Sequence, residues 1–263
     1  MVLQDGRLLE DKVVLVSGGT KGLGAAIARA AVRESAAVVV TGRSADAGER
    51  VAAQLRAAGG QAAYVRCDVA DPEQAGAAVA RTVAELGDLH CLVNAAGLTS
   101  RGSLLDTTPQ LFDEHIAVNL RGPFFTMQAA VRHMRSQGIG GSIVNISSVA
   151  ELGGQPYLAP YVASKAGLAA LTRNAAHAHR WDRIRINALD IGWTDTEGED
   201  DTQRRFHGAG DDWREQAART LPMGKLGQPD EIADFVVFLL SPRSGVVTGS
   251  VIDWDQAVPG AHD

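Results

Sequence analysis

Cysteine is scarce in this chain: two residues, Cys67 and Cys91, among 263, too few for a disulfide framework. Both lie in apolar runs, Tyr64 to Val69 and Cys91 to Val93, and read as small buried side chains rather than a redox pair. Positive charge is also short. A count of 25 Lys and Arg against 31 Asp and Glu gives a formal net charge of -6, which offers no basic field to gather nucleic acid or an anionic membrane. Met1 to Asp11 alternates charged and apolar residues without the apolar core of a signal peptide, and no later run reaches membrane-spanning length. A cytoplasmic location is expected. No repeat, low-complexity tract or proline-rich linker marks an internal boundary. The expectation is therefore one domain over 1–263, long enough to bury a large core.

What the chain does contain is alternation. Apolar β-branched runs at Lys12–Ser17, Ala37–Thr41, Ala62–Arg66, Cys91–Asn94, Ser142–Ile146, Ile184–Ala188 and Ser250–Trp254 are separated by alanine-rich amphipathic stretches. The latter predict helices at Leu23–Glu34, Ala45–Ala58, Pro72–Leu86, Leu111–Arg135, Tyr161–His179 and Pro229–Leu240. This pattern predicts an α/β fold: a Rossmann-type doubly wound sheet of seven mainly parallel strands with helices on both faces. Residues 192–222, rich in Asp, Glu, Gly and Trp, interrupt the alternation. An irregular substrate lid is expected there, since such insertions after a strand's C-terminal end often carry specificity.

Directly after the first strand stands Ser17-Gly18-Gly19-Thr20-Lys21-Gly22-Leu23-Gly24, which opens a helix. Backbone amides at a helix N-terminus attract phosphate, and glycine lets a pyrophosphate approach where a Cβ would collide. A dinucleotide site follows from that context; a glycine cluster alone would equally suit a plain turn. Gly18, Gly22 and Gly24 follow G-x-x-x-G-x-G. This variant resembles the classical short-chain dehydrogenase/reductase family, and further matches continue in the family's order along nearly the whole chain. They are Val93-Asn94-Ala95-Ala96-Gly97, then Asn119, then Ile146-Ser147-Ser148-Val149, then Tyr161-Val162-Ala163-Ser164-Lys165.

The resemblance implies cofactor contacts at Gly18, Thr20, Lys21, Gly22, Leu23, Gly24, Asp68, Val69, Asn94, Ala95, Gly97, Tyr161, Lys165, Gly192, Thr194 and Thr196. Asp68 matches an adenine contact, although a strand-end turn or helix cap would also use an aspartate there. After the second strand, where NAD-specific relatives carry an acid for the ribose 2′-hydroxyl, this chain reads Thr41-Gly42-Arg43-Ser44. An acid would repel a 2′-phosphate, whereas Arg43 can grip one, with Lys21 as a second cation. NADP(H) is the expected cofactor and NAD(H) the alternative; the plain reading is that Arg43 caps a turn and Lys21 is solvated.

Hydride transfer to a ketone builds negative charge on oxygen, and a proton must arrive there. Tyr161 is the candidate acid or base, and Lys165, four residues on along a helix, is expected to favour its phenolate. Tyr157 competes with Tyr161, but the residue four beyond it is no lysine. Ser148, thirteen residues before Tyr161, matches the family's substrate-oxygen partner, with Ser147 as a packed structural hydroxyl; Asn119 matches the residue that completes a proton relay. These four, Asn119, Ser148, Tyr161 and Lys165, form the expected catalytic set, with no metal. Glu151, Gln155, Tyr157 and Trp193 join Ser148 as expected substrate contacts.

Two segments depart from the family. Ile191 stands where relatives carry the proline of a Pro-Gly pair, and Trp254-Asp255-Gln256-Ala257 replaces a Val-Asp-Gly-Gly ending. Resemblance implies a homotetramer, with a dimer as the alternative. The polar, aromatic lid favours a sugar-like, polyol or small keto substrate over a steroid or acyl chain. Two other readings stand beside a reductase: an NAD-dependent sugar or alcohol dehydrogenase, and a catalytically silent dinucleotide-sensing protein. Extended relatives that act on nucleotide sugars are disfavoured, because their glycine spacing differs.

Overall fold

The structure is a computed structural model that describes residues 7–258. Seven strands form one parallel sheet: β1 (Val13–Ser17), β2 (Ala37–Gly42), β3 (Ala62–Arg66), β4 (Cys91–Asn94), β5 (Gly141–Ser148), β6 (Ile184–Ile191) and β7 (Val251–Trp254). Their order is β3-β2-β1-β4-β5-β6-β7. Winding reverses between β1 and β4, and a crevice for ligand opens at the carboxyl ends of the strands there.

The helices are α1 (Gly22–Arg33), α2 (Ala45–Ala57), α3 (Pro72–Leu86), α4 (Pro109–Ile116), α5 (Gly122–Gln137), α6 (Ala159–His179), α7 (Glu197–His207), α8 (Trp213–Arg219) and α9 (Pro229–Leu240). Alternation along the strands divides them between two faces. Val14 and Val16 of β1 pack with Ala26, Ile27, Leu55 and Val236 of α1, α2 and α9. Leu15 points the other way, with Val79, Met127, Met134 and Ala176 of α3, α5 and α6. Both faces are thus covered. Cys67 and Cys91 are free and buried, and burial pushes their thiols up to about 11 and about 12, so neither is a thiolate near neutrality.

Two expectations are corrected. The single helix over Leu111–Arg135 is divided: α4 ends at Ile116, Ala117–Arg121 forms a π-helical turn, and α5 starts at Gly122. The cause lies in Gly122-Pro123. Pro123 has no N–H with which to close the i to i-4 bond on the Asn119 carbonyl. Gly122 also packs against Val69, where a Cβ would fall 2.6 Å from the Val69 carbonyl oxygen. The second correction concerns residues 192–222, which hold two helices, α7 and α8, rather than irregular chain. Asp200 binds them together: its carboxylate accepts from Arg204 Nε at 2.8 Å, Trp213 Nε1 at 2.7 Å and Arg214 at 2.8 Å. Arg214 continues to Asp195 at 2.7 Å.

Candidate active site

The glycine turn after β1 approaches its neighbours too closely for side chains. Gly18 has φ +81°, and a Cβ there would meet the Ala96 backbone nitrogen at 2.5 Å; at Gly24 it would meet the Gly18 carbonyl oxygen at 2.2 Å. The turn is pinned by Gly18 and Gly19 amides donating to Thr41 O at 3.1 and 3.0 Å. Helix α1 then begins with no side-chain cap and no acid in its first turn. By contrast α2, α3 and α7 are capped by Ser44, Asp71 and Thr196. Uncapped amides at a positive dipole end, in a cradle that a Cβ would fill, fit a dinucleotide pyrophosphate. Thr196 lies over this turn, 3.8 to 3.9 Å from where a Gly22 Cβ would be, so the start of α7 meets the cradle.

Arg43 and Lys21 are both exposed beside the turn, and neither is in an ion pair among the described residues. Asp68 Oδ1 accepts from Ala70 N at 3.1 Å, the local turn that an aspartate there suggested. Asn94 donates to Asn145 Oδ1 at 2.8 Å and Asn145 to Thr172 Oγ1 at 2.9 Å, tying β4, β5 and α6 beneath the crevice. Gly192 is pressed against Asp255, whose carboxylate occupies the space of a Cβ. Thr194 Oγ1 donates to Gly192 O at 2.9 Å, shaping the turn after β6 in place of the missing proline.

The expected catalytic side chains converge where β5 ends and α6 starts. Lys165 is buried; its Nζ donates to Ile146 O at 2.8 Å and lies 5.7 Å from the centre of the Tyr161 ring. Ser148 Oγ accepts from Ala150 N at 3.2 Å. Burial pushes the Tyr161 phenol up to about 12; a hydrogen bond with Ser148 and the Arg101 charge oppose this, while Glu199 and Asp190 add to it. The expected lowering by Lys165 is therefore not what this site shows, because desolvation of the phenolate is the largest effect. Burial in turn pulls the Lys165 ammonium down to about 8, against the pull of Asp190. The Asn119 side chain clamps the neighbouring loop: Oδ1 accepts from Leu98 N at 2.8 Å, and Nδ2 donates to Leu98 O at 2.9 Å and Ser164 Oγ at 3.0 Å.

Around Tyr161 stand residues that sequence reasoning missed. The His115 ring meets the Tyr161 ring edge-on, with centroids 6.5 Å apart. Arg101 lies 5.4 Å from the Tyr157 ring centre and 5.7 Å from that of Phe206, and contacts His207 Nε2 at 3.0 to 3.2 Å. Tyr157, a foreseen pocket residue, packs on His207 at 5.4 Å. Trp193 Nε1 donates to Glu199 at 2.8 Å while its ring stacks on Trp213 at 6.1 Å. Glu151 is half-buried in the 3-10 turn Val149–Leu152, whereas Gln155 is exposed. No spacing rule links Arg101 to His207 or Asp190 to Lys165; only folding brings them together. A cavity of about 310 Å³ near Trp193, Leu226 and Trp254 includes neither Ser148, Tyr161 nor Lys165, and is separate from the catalytic cluster.

A family model described as enoyl-(acyl carrier protein) reductase matches residues 18–257. An L-rhamnose 1-dehydrogenase (NAD(P)(+)) of Azotobacter vinelandii is 37% identical over 92% of this chain and 94% of its own length. An NADP-dependent (R)-specific alcohol dehydrogenase of Lentilactobacillus kefiri is 35% identical over 92% and 94%. Among solved structures, a short-chain type dehydrogenase/reductase from Mycobacterium marinum superposes with TM-score 0.87 at 30% identity, covering 96% of this chain and 97% of its own. With the sheet order, the glycine cradle and the Tyr161–Lys165 cluster, these matches establish that the chain belongs to the short-chain dehydrogenase/reductase family of NAD(P)-dependent oxidoreductases.

Proposed function

We propose that this enzyme interconverts a ketone and a secondary alcohol with a preference for NADP(H), and that its substrate is a polar sugar-like, polyol or small keto compound. The convergence of Ser148, Tyr161 and Lys165 beside an uncapped helix N-terminus carries this reading. The bound nicotinamide would supply or accept the hydride. The residues do the rest. Ser148 and Tyr161 would hold the carbonyl oxygen between their hydroxyls, and a phenol held up to about 12 keeps its proton at neutral pH until the developing alkoxide takes it. Lys165, with one donor on Ile146 O, has two left for ribose hydroxyls. The Asn119 side chain is committed to Leu98 and Ser164, so its part in a relay falls to the main-chain carbonyl that Pro123 cannot engage.

Arg43 and Lys21 are the proposed 2′-phosphate contacts. The NADP-dependent alcohol dehydrogenase among the relatives supports that preference, and the L-rhamnose dehydrogenase supports a polyhydroxylated substrate and the alternative of sugar oxidation. Asp195, Asp200 and Asp211 of the lid are engaged in joining the α7 and α8 segments, and Glu199, Arg101, His207 and Tyr157 are polar groups around the mouth. We take 1–263 as one catalytic domain with a lid over 192–222, active in the cytoplasm as a homotetramer. Exposed Phe112, Phe124 and Phe238 offer apolar surface for that assembly.

A panel of sugars, polyols and small ketones, followed at the nicotinamide absorbance with NADPH, NADP, NADH and NAD, tests the reading. Turnover with NADPH above NADH is expected. Preference for NAD with sugar oxidation selects the dehydrogenase alternative, and cofactor binding without any turnover selects the silent sensor.

A further inference from the structure

Beneath the catalytic lysine lies a charge that the reaction as described does not use. Asp190, near the end of β6, is 0% exposed, and neither carboxylate oxygen has a hydrogen-bond partner within 3.5 Å among the described residues. Its register neighbours are Ser147 on β5 and Asp253 on β7. Ser147 Oγ, also buried, faces it from the neighbouring strand and is the hydroxyl that eases its charge. A buried carboxylate with so little to offset its lost hydration is costly. Such a group persists where another role holds it in place. Alternation along β6 turns Ile186 and Asp190 toward the face covered by α6, and α6 carries Lys165, itself buried and anchored on the β5 carbonyl of Ile146.

We propose that Asp190 is a positioning residue for the catalytic centre: its buried carboxylate acts through space on Lys165, keeping the lysine an ammonium over the pH range in which the enzyme works. The inference rests on the proposed role of Lys165. The charged and titratable groups facing Asp190 are Lys165 and Tyr161 of α6, Glu151 of the 3-10 turn after β5, and Asp253 of β7. Burial pushes the Asp190 carboxyl up to about 7, with Glu151 and Asp253 adding to the rise, while the Ser147 hydroxyl and the Lys165 ammonium pull it down. Lys165 is pulled down to about 8 by burial and held up by Asp190. The signs follow. Above about pH 7 the carboxylate is ionised and supports the ammonium; below it the carboxyl is neutral and the support vanishes, but acid then keeps Lys165 charged without help. Asp190 therefore matters on the alkaline side, where Lys165 would otherwise lose its proton.

The chain has four lysines, Lys12, Lys21, Lys165 and Lys225, so ¹³Cε-lysine NMR of the whole protein resolves Lys165 without substrate or cofactor. The native Lys165 signal is expected to titrate at about 8 and to carry a second, smaller inflection near neutrality from Asp190. In Asp190→Asn that inflection disappears and the Lys165 midpoint falls by about one pH unit, the lower end of what an opposite charge at close range contributes. Identical Lys165 titrations in native and Asp190→Asn protein overturn the proposal. Should the variant fail to fold, the native protein labelled at the aspartate carboxyls decides: one carboxyl titrating near neutrality together with the Lys165 inflection supports the coupling, and a single-step Lys165 titration overturns it. Neither readout depends on turnover, so it can fail while the proposed reaction stands.

Discussion

Replacing Tyr161 by phenylalanine removes one hydroxyl and little else. The ring keeps its edge contact with His115 and its place 5.7 Å from the Lys165 ammonium, and α6 keeps its backbone bonds. The cradle around Gly18 and Gly24 is untouched, so cofactor affinity should stay within about twofold of native. The chemistry should not. Burial holds the phenol up to about 12, so near pH 7 only about one molecule in 10⁵ is ionised and nearly all stand ready to donate. A positioned general acid contributes about 10²- to 10⁴-fold. The Ser148 hydroxyl left behind is a far weaker acid, and Lys165 points one of its donors at Ile146 O. Turnover of a ketone that the native enzyme accepts should therefore fall by at least about a hundredfold. Single-turnover NADPH absorbance measures the step, and fluorescence titration of NADPH measures binding. Turnover within about threefold of native, with binding intact, would refute the assignment of Tyr161 as the proton donor.

Arg43→Ala should raise KM for NADPH by about tenfold or more and leave KM for NADH nearly unchanged, since a charge-assisted bond is lost only where a 2′-phosphate exists; equal changes for both cofactors count against the 2′-phosphate role. Gly24→Ala places a Cβ 2.2 Å from the Gly18 carbonyl oxygen, so the cradle must open, and NADPH affinity measured by calorimetry should drop by about tenfold or more while circular dichroism stays native-like. The Asp200 carboxyl is held down to about 2 by its bonds with Arg204, Trp213 and Arg214. A lowered carboxyl stabilises above its unfolded value and loses that contribution only as pH falls through about 2, so at neutral pH the clamp is fully in place. Asp200→Asn should therefore loosen the lid across the neutral range, raising substrate KM and the rate of proteolysis within residues 197–219, with cofactor affinity little changed.

The sequence by itself determined the sheet and the positions at which the proposed catalytic residues meet. Short continuous apolar β-branched runs suit strands buried on both faces, and long helical crossovers make those strands parallel; β1 to β7 accordingly stand where the apolar runs predict them. The placement of Gly18, Gly24, Tyr161 and Lys165 was legible because it follows from short-range geometry: a turn with no room for a Cβ, and one helical face repeating every four residues. The break at Asn119 was written in Pro123, but the 3.6-residue periodicity running through it masked the signal. Other features had no local signature at all. Helices α7 and α8 are fixed by Asp200 reaching across the lid to Trp213 and Arg214, and the rim of Arg101, Tyr157 and His207 joins segments far apart in the chain. The balance of charge at Tyr161, Lys165 and Asp190 belongs to this second group. Desolvation depends on what covers a group from every side, so whether a phenol rises or falls is decided only when the tertiary structure closes over it.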